Sequence, residues 1–460
     1  MDTFFEKLNN VIWGVPVLTL ILLTGVVYTL QTRFIQIRLF PRACKEFLQS
    51  FQRNDEGISG YRALCTALAA TVGTGNIVGV AGAIAIGGPG VVFWMWISAL
   101  LGMVIKFSEV TLAVYFREKN AAGEWVGGPM YTIQNGLSPR FHCLAIIYCF
   151  FGIVASFGIG NATQMNAVMS GIEILFDSVG VTLQPVHIGV ISISIGISIV
   201  LIFRHGANGI GSWAEKLVPP ASVLYVSLTL LILLVRRETL PVVLQQIFTG
   251  AFSPSAVTCG VISTFSITLR VGTSRGVFTN EAGMGTASIA HSGAIGANPA
   301  QQGSLGIIEV FLDTIIMCTL TGLAILCSEI PIPFGMDPGI HLTLSAFANV
   351  LGQWSAYVVI ILTCIFAFST VLGWGLYGMR CMQYLFGQNV DQLYIALQFC
   401  AVIIGSHMKT SAVWIFSEMV NGLMAIPNLI TLLLLLPVFQ TLINGYAKHR
   451  NNSLHGFYKL

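Results

Sequence analysis

The chain of 460 residues is 55% hydrophobic and 9% charged, with a mean hydropathy of +0.80. Soluble domains carry roughly a quarter charged residues, so an assembly of two or three soluble domains is excluded for want of polar surface. A net charge of +3 is too small to point to a nucleic-acid partner.

The first apolar run, 11–30, lacks a basic leader and a small-residue cleavage site, and it is long enough to span a bilayer. It reads as a retained helix and not as a signal peptide. Further runs near the spanning length of about 20 residues follow at 62–86, 90–116, 142–176, 186–204 and 212–235. A second set lies at 255–296, 303–328, 353–386, 391–407 and 411–438. The expected fold class is therefore an all-α polytopic membrane protein of 11 transmembrane helices, counted as one plus five plus five. Because each half holds an odd number of spans, the second enters from the opposite side. That geometry makes the halves inverted repeats.

The segments expected from this count are 1–61 (an extra helix and a basic loop), 62–235 and 255–438 (the two five-helix repeats) and 439–460 (a tail). Basic residues set orientation. Arg33, Arg38, Arg42, Lys45, Arg53 and Arg62 follow the first helix, and Arg117, Lys119, Arg140, Arg204, Lys216, Lys448, Arg450 and Lys459 fall on the same side. Only Lys7, Arg236, Arg237 and Lys409 oppose them. The expectation is a multi-pass plasma (inner) membrane protein with its N-terminus outside and its C-terminus cytoplasmic. The ten cysteines contain no Cys-x-x-Cys pair, so they read as buried small hydrophobes and not as zinc or redox ligands.

Two spans are interrupted by glycine, at Gly73-Thr74-Gly75-Asn76 and at Asn280-Glu281-Ala282-Gly283-Met284-Gly285. Backbone broken at membrane depth is tolerated only where it lines a cavity. Interrupted segments at matching places in two halves mark the binding site of a secondary transporter. Freed amide N–H groups suit a carboxylate, and freed carbonyls suit Na⁺ or an ammonium group. Asn76 adds an amide oxygen for a cation and an N–H for a carboxylate. An amino acid fits this inventory better than a sugar does. Gly73-x-Gly75-x-x-x-Gly79 superficially matches a dinucleotide loop, but its setting is too long and apolar for one. Gly79, Gly82 and Gly88 read instead as close-packing positions.

Ionisable residues inside spans are costly and usually functional. Lys106 and Glu109 share a helical face and can pair with each other or handle an ion. Glu281, with Arg270 and Arg275 upstream, can support the bent backbone, pair with an arginine or take a proton. In 353–386, Ser369 and Thr370 carry hydroxyl oxygens suited to Na⁺, although bonding back to the preceding turn is the plainer reading. Trp374 lies four residues beyond Thr370, where it either roofs a pocket or packs.

Gly87-Gly88-Pro89-Gly90-Val91-Val92-Phe93-Trp94-Met95-Trp96, followed by Gly102, resembles the signature of the alanine/glycine:cation (sodium:alanine) symporter family. Gly73–Gly79, Lys106-Phe107-Ser108-Glu109, Gly127-Gly128-Pro129-Met130-Tyr131 and Asn280-Glu281-Ala282-Gly283 resemble the same family, across nearly the whole chain. The resemblance implies the leucine-transporter-like fold of the amino acid–polyamine–organocation superfamily, with one extra N-terminal helix. It implies Na⁺-coupled uptake of small neutral amino acids such as alanine and glycine. The substrate carboxylate is then expected at Thr74, Gly75 and Asn76, and the amino group at Gly283 and Met284. Gln164, Thr370 and Trp374 complete the implied pocket, with Trp374 and Met284 limiting its size. By analogy with the wider fold, Na⁺ is expected on carbonyls of Ala69, Val72 and Phe366 and hydroxyls of Ser369 and Thr370.

The expected partners are thus a small neutral amino acid, Na⁺ as coupling ion and the lipid bilayer, for a monomer with no other cofactor. The alternatives are an H⁺-coupled or glutamine/asparagine-preferring permease, or a sensor that does not transport. An enzyme is not expected, because the eight histidines show no ligand spacing and no nucleophile–base pair stands out.

Overall fold

The computed structural model describes residues 9, 11–13, 15–51, 58–178, 180–252, 255–258, 261–336, 338–408 and 410–452. Lys7, Arg53, Lys409 and Lys459, used above for orientation, lie outside the described residues, as do the outermost parts of 1–61 and 439–460 and the side chains of Lys448 and Arg450.

In hydrocarbon each backbone polar group must be satisfied within the protein, and the apolar runs accordingly fold as helices. Among the described residues eight are long and apolar enough to cross a membrane, or nine when a bent pair counts as one span. In chain order, α1 (Val15–Gln31) and α2 (Phe40–Ser50) precede the bent pair α3 (Gly60–Thr71) and α4 (Val78–Gly87). Then come α5 (Val91–Tyr115), α6 (Pro129–Gly136), α7 (Cys143–Phe157), α8 (Thr163–Ser178), α9 (Pro185–Phe203), α10 (Gly206–Val235) and α11 (Leu240–Phe252). The second half runs α12 (Phe265–Asn280), α13 (Thr286–Ser292), α14 (Pro299–Val310), α15 (Thr319–Cys327), α16 (His341–Leu351), α17 (Gln353–Phe386), α18 (Asp391–His407) and α19 (Thr410–Asn452). π-helical turns at Gly158–Ala162 and Phe311–Cys318 join α7 to α8 and α14 to α15.

The expected span at 255–296 is divided. Its first part is an antiparallel pair of strands, Ser255–Thr258 with Val261–Thr264, where Val257, Thr258, Val261, Ile262 and Thr264 favour a pleated backbone. Only then does α12 begin. The short helices α6, α11 and α16 were below the length at which an apolar run reads as a span.

Helices far apart in sequence pack against one another: α5 on α14, α7 on α17, α9 on α18. The broken helices exchange partners, α3 lying on α13 and α4 on α12. Without a hydrophobic drive between helices in lipid, small residues set the closest approaches. A Cβ built on Gly90 would lie 2.3 Å from the backbone of Gly250, and one on Gly373 would lie 2.9 Å from Ala70. Gly79 departs from the packing expectation, since nothing lies within 4 Å of its Cβ position. Gly88 instead ends α4 at φ +73, a glycine stop for a helix.

Candidate functional site

The first break begins where α3 stops at Val72, at φ −78 and ψ 88. Thr74 donates to the Gln164 Oε1 atom from its backbone N–H at 3.4 Å and from its hydroxyl at 3.0 Å. Gln164 is aimed by the π turn beside it, because its Nε2 donates to the Ile159 carbonyl at 3.0 Å. π turns recur at functional sites for this reason: they free carbonyls inside a helix. A Cβ on Gly73 would sit 2.6 Å from Thr370 Oγ1, so only glycine lets α17 approach here. Thr74, Gln164 and Thr370 are thereby brought together. Gly75 faces the other broken helix, with Thr279 Cγ2 3.3 Å from its Cβ position.

Thr370 Oγ1 donates to the Ala69 carbonyl at 2.9 Å, across α17 and α3. The preceding residue, Ser369, donates its Oγ hydrogen to the Phe366 carbonyl at 2.9 Å, the back-bonded arrangement anticipated as the plainer reading. All four residues and Val72 are buried. Hydroxyls rotate and retain acceptor lone pairs, so this group of neutral oxygens suits a hard monovalent cation. Among the described residues no group of three His, Cys, Asp or Glu side chains can hold a metal ion.

The second break turns through left-handed backbone at Glu281 (φ +55), Gly283 (+95) and Gly285 (+75). Its amides are held by Glu109, whose Oε1 accepts from Gly283 N at 2.9 Å, Gly285 N at 3.1 Å and Asn428 Nδ2 at 2.7 Å. Asn428 also donates to the Gly283 carbonyl at 2.8 Å, so this carbonyl already has a protein partner. Met284 is buried and its N–H donates to the Glu281 carbonyl at 3.1 Å. Glu281 accepts from Thr286 Oγ1 at 2.5 Å and Trp374 Nε1 at 2.7 Å. Trp374 in turn lies against the first π turn, where a Cβ on Gly160 would be 2.3 Å from its own.

Two of the pairings left open by the sequence are not the ones that form. Lys106 pairs with Glu309 at 3.3 Å, both fully buried, while Glu109 is taken by the break. Arg275 pairs with Glu418 at 2.6 Å, leaving Glu281 to Trp374 and Thr286. In each case an acceptor from another helix lies closer than a neighbour in sequence.

Asp313, Glu309, His291, Gln302 and Asn428 escaped the sequence reading. Asp313 Oδ1 accepts from Asn76 Nδ2 at 2.7 Å, and Asn76 Oδ1 accepts from Gly73 N at 3.0 Å, so the Asn76 amide is engaged at both ends. Glu309 also meets His291 Nε2 at 3.3 Å, and His291 Nδ1 meets Gln302 Nε2 at 2.7 Å. Glu309 and Asp313 stand one helical turn apart in an apolar span, which is itself a signal of function.

A profile of the sodium:alanine symporter family matches residues 1–459. The chain belongs to that family. It is similar to the sodium/alanine symporter AgcS of Methanococcus maripaludis, at 37% identity over 97% of each chain. The probable sodium/glutamine symporter GlnT of Bacillus subtilis is 32% identical over 96% of this chain and 90% of its own. Among solved structures, MhsT in complex with L-phenylalanine superposes with a TM-score of 0.60 at 15% identity, covering 83% of this chain and 90% of that one. That likeness establishes the leucine-transporter-like fold. A member of the sodium:alanine symporter family with this fold is an integral membrane transporter and not an enzyme.

Proposed function

We propose that this sodium:alanine symporter family member is a secondary active transporter that couples Na⁺ entry to uptake of small neutral amino acids, such as alanine and glycine, by alternating access. The observation that carries the reading is the meeting of Thr370 Oγ1 with the Ala69 carbonyl at 2.9 Å, directly beside the break that presents Thr74 to Gln164. One cation site and one zwitterion site then share α3 and α17, so filling one favours the other. Na⁺ is taken by oxygens of Ala69, Val72, Phe366, Ser369 and Thr370. The substrate carboxylate meets Thr74, Gly75 and Asn76, and its amino group the second break near Gly283 and Met284. Gln164, Thr370 and Trp374 close the pocket. One positive charge moving inward through 100 mV contributes about 2.3 kcal/mol, enough for roughly fiftyfold accumulation.

Eleven spans follow when the nine by length and composition are joined by α1 and by the broken pair α12–α13. Residues 62–235 and 255–438 are then two five-helix inverted repeats, after the helix and loop of 1–61 and before a tail at 439–460. The reciprocal packing of α3 with α13 and α4 with α12 supports that layout. The protein acts as a monomer in the plasma membrane, N-terminus outside and C-terminus cytoplasmic. Likeness to a probable sodium/glutamine symporter favours, as second reading, a pocket that accepts glutamine. Radiolabelled alanine uptake into proteoliposomes, under an imposed Na⁺ gradient or an imposed pH gradient, tests the proposal. Concentrative uptake with Na⁺ alone is expected. Uptake driven only by pH, or glutamine uptake without alanine uptake, contradicts it.

A further inference from the structure

Where α1 ends, the chain turns through Arg33 and Phe34, at φ +54 and +58. L-residues seldom adopt this conformation, and two in succession mark a bend that the surrounding structure enforces. Beside the bend lies a cavity of about 490 Å³ between the end of α1 and residues of α19. Arg33, Arg38 and Arg42 are among the residues that line it. Arg42 is paired with Glu46 at 2.9 Å. Arg33 and Arg38 are exposed and make no ion pair among the described residues.

The remaining polar lining is neutral, with Gln31 from α1 and Gln440 and Asn444 from α19, and among the described residues no carboxylate lines the cavity. Ile35, Leu39 and Ile443 form an apolar wall. Leu30, Phe34 and Ile37 alongside are 61%, 50% and 57% exposed, as suits contact with acyl chains. A soluble anion would need only the arginines. A phospholipid needs an anion site, neutral donors at ester depth and an apolar flank, all at the end of a spanning helix. Basic pockets between membrane helices attract anionic headgroups in this way.

We propose that this cavity, between the end of α1 and α19, is a binding site for the phosphate headgroup of an anionic phospholipid. Its position gives the lipid a purchase on the transporter. Gln440 Nε2 donates to Gln31 Oε1 at 3.2 Å, and Tyr28 Oη donates to the Leu432 carbonyl at 2.5 Å. These contacts tie α1 to α19, the helix whose Asn428 holds the second break. A headgroup spanning Arg33, Arg38 and Asn444 reinforces that tie.

The experiment measures lipid retained by the purified full-length protein from mixed phosphatidylglycerol and phosphatidylcholine vesicles, by native mass spectrometry. It compares wild type with Arg33→Gln/Arg38→Gln and with a charge-matched control, Arg140→Gln/Arg204→Gln. Wild type is expected to retain phosphatidylglycerol over phosphatidylcholine. The cavity variant should hold it about thirtyfold more weakly, with the control unchanged. Equal weakening in the control assigns the effect to general surface charge and overturns the proposal. So does undiminished retention in the cavity variant, or no lipid preference in wild type. Displacement of phosphatidylglycerol from wild type by millimolar inorganic phosphate points to a soluble-anion site and overturns it likewise. The wild-type arms decide even where the cavity variant fails to fold.

Discussion

Trp374 donates its indole N–H to the Glu281 carboxylate at 2.7 Å, joining α17 to the second break. Both residues are buried, and Gly160 backs the tryptophan on its other side. With its indole N–H bonded to Glu281 and its Cβ against Gly160, Trp374 has little freedom to swing away, so Glu281 positions the residue proposed to limit the pocket.

Glu281→Leu removes that acceptor, leaving a buried indole N–H unpaired at a cost of about 1–3 kcal/mol and freeing the ring. Glutamine uptake relative to alanine should rise in Glu281→Leu and stay at the wild-type ratio in Glu281→Gln, which keeps an oxygen acceptor. A wild-type ratio in both variants would show that Glu281 does not set the pocket's size.

Glu109 braces the second break through the two amides of Gly283 and Gly285 and through Asn428. Each donor left unpaired in the interior costs about 1–3 kcal/mol. Thermal melting in detergent should therefore rank wild type above Glu109→Gln and Glu109→Gln above Glu109→Ala. An alanine variant that melts with wild type would remove Glu109 from this role.

The Lys106–Glu309 pair is fully buried. Truncating one member of such a pair costs about 3–5 kcal/mol, because it strands the other's charge, whereas replacing both by apolar residues is often neutral. Lys106→Ala is expected to be poorly stable and Lys106→Met/Glu309→Leu to recover most of the loss in a double-mutant cycle. Additive losses would mean that the two charges act separately.

Much of this was legible in the chain. Glycine at 73, 75, 283 and 285 announced both breaks, because a spanning helix has no other use for them beside Thr, Asn and Glu. The ends of α17 and α18 could be read to the residue, since long apolar runs have sharp polar borders. What stayed hidden is pairing across helices. Lys106 and Glu109 are neighbours in sequence, yet their partners come from 309 and from the backbone at 283 and 285. The strands at 255–264 were hidden for another reason, because apolar β-branched residues suit a strand as well as a span.

Outside the spans, Glu124 meets Arg380 at 2.8 Å. Partial burial alone would raise its pKa, but the hydrogen bond and charge of Arg380 win and hold it below the usual carboxylate range. A lowered folded-state pKa means that the contact's stabilisation is fully present above the unfolded value, about 4.3 for glutamate, and is lost as pH falls below it. Glu124 lies in a hairpin in which Glu118–Lys119 pairs antiparallel with Trp125–Val126. Hydrogen exchange there, corrected for intrinsic rates, should stay flat from pH 7 to about 5. It should rise only in stronger acid. A rise near neutrality would assign the hairpin's stability to another group.

The central claim is that a Na⁺ site and an amino acid site share α3 and α17, so that filling one favours the other. Alanine binding to the purified protein, measured across a Na⁺ titration for wild type and Thr370→Ala, tests it most directly. Losing one oxygen to a bound cation costs about 1.5–3 kcal/mol. The half-saturating Na⁺ concentration should therefore rise about ten- to a hundredfold in the variant, with alanine affinity in wild type falling as Na⁺ is withdrawn. Alanine affinity independent of Na⁺, or a Na⁺ dependence unchanged by Thr370→Ala, would contradict the account.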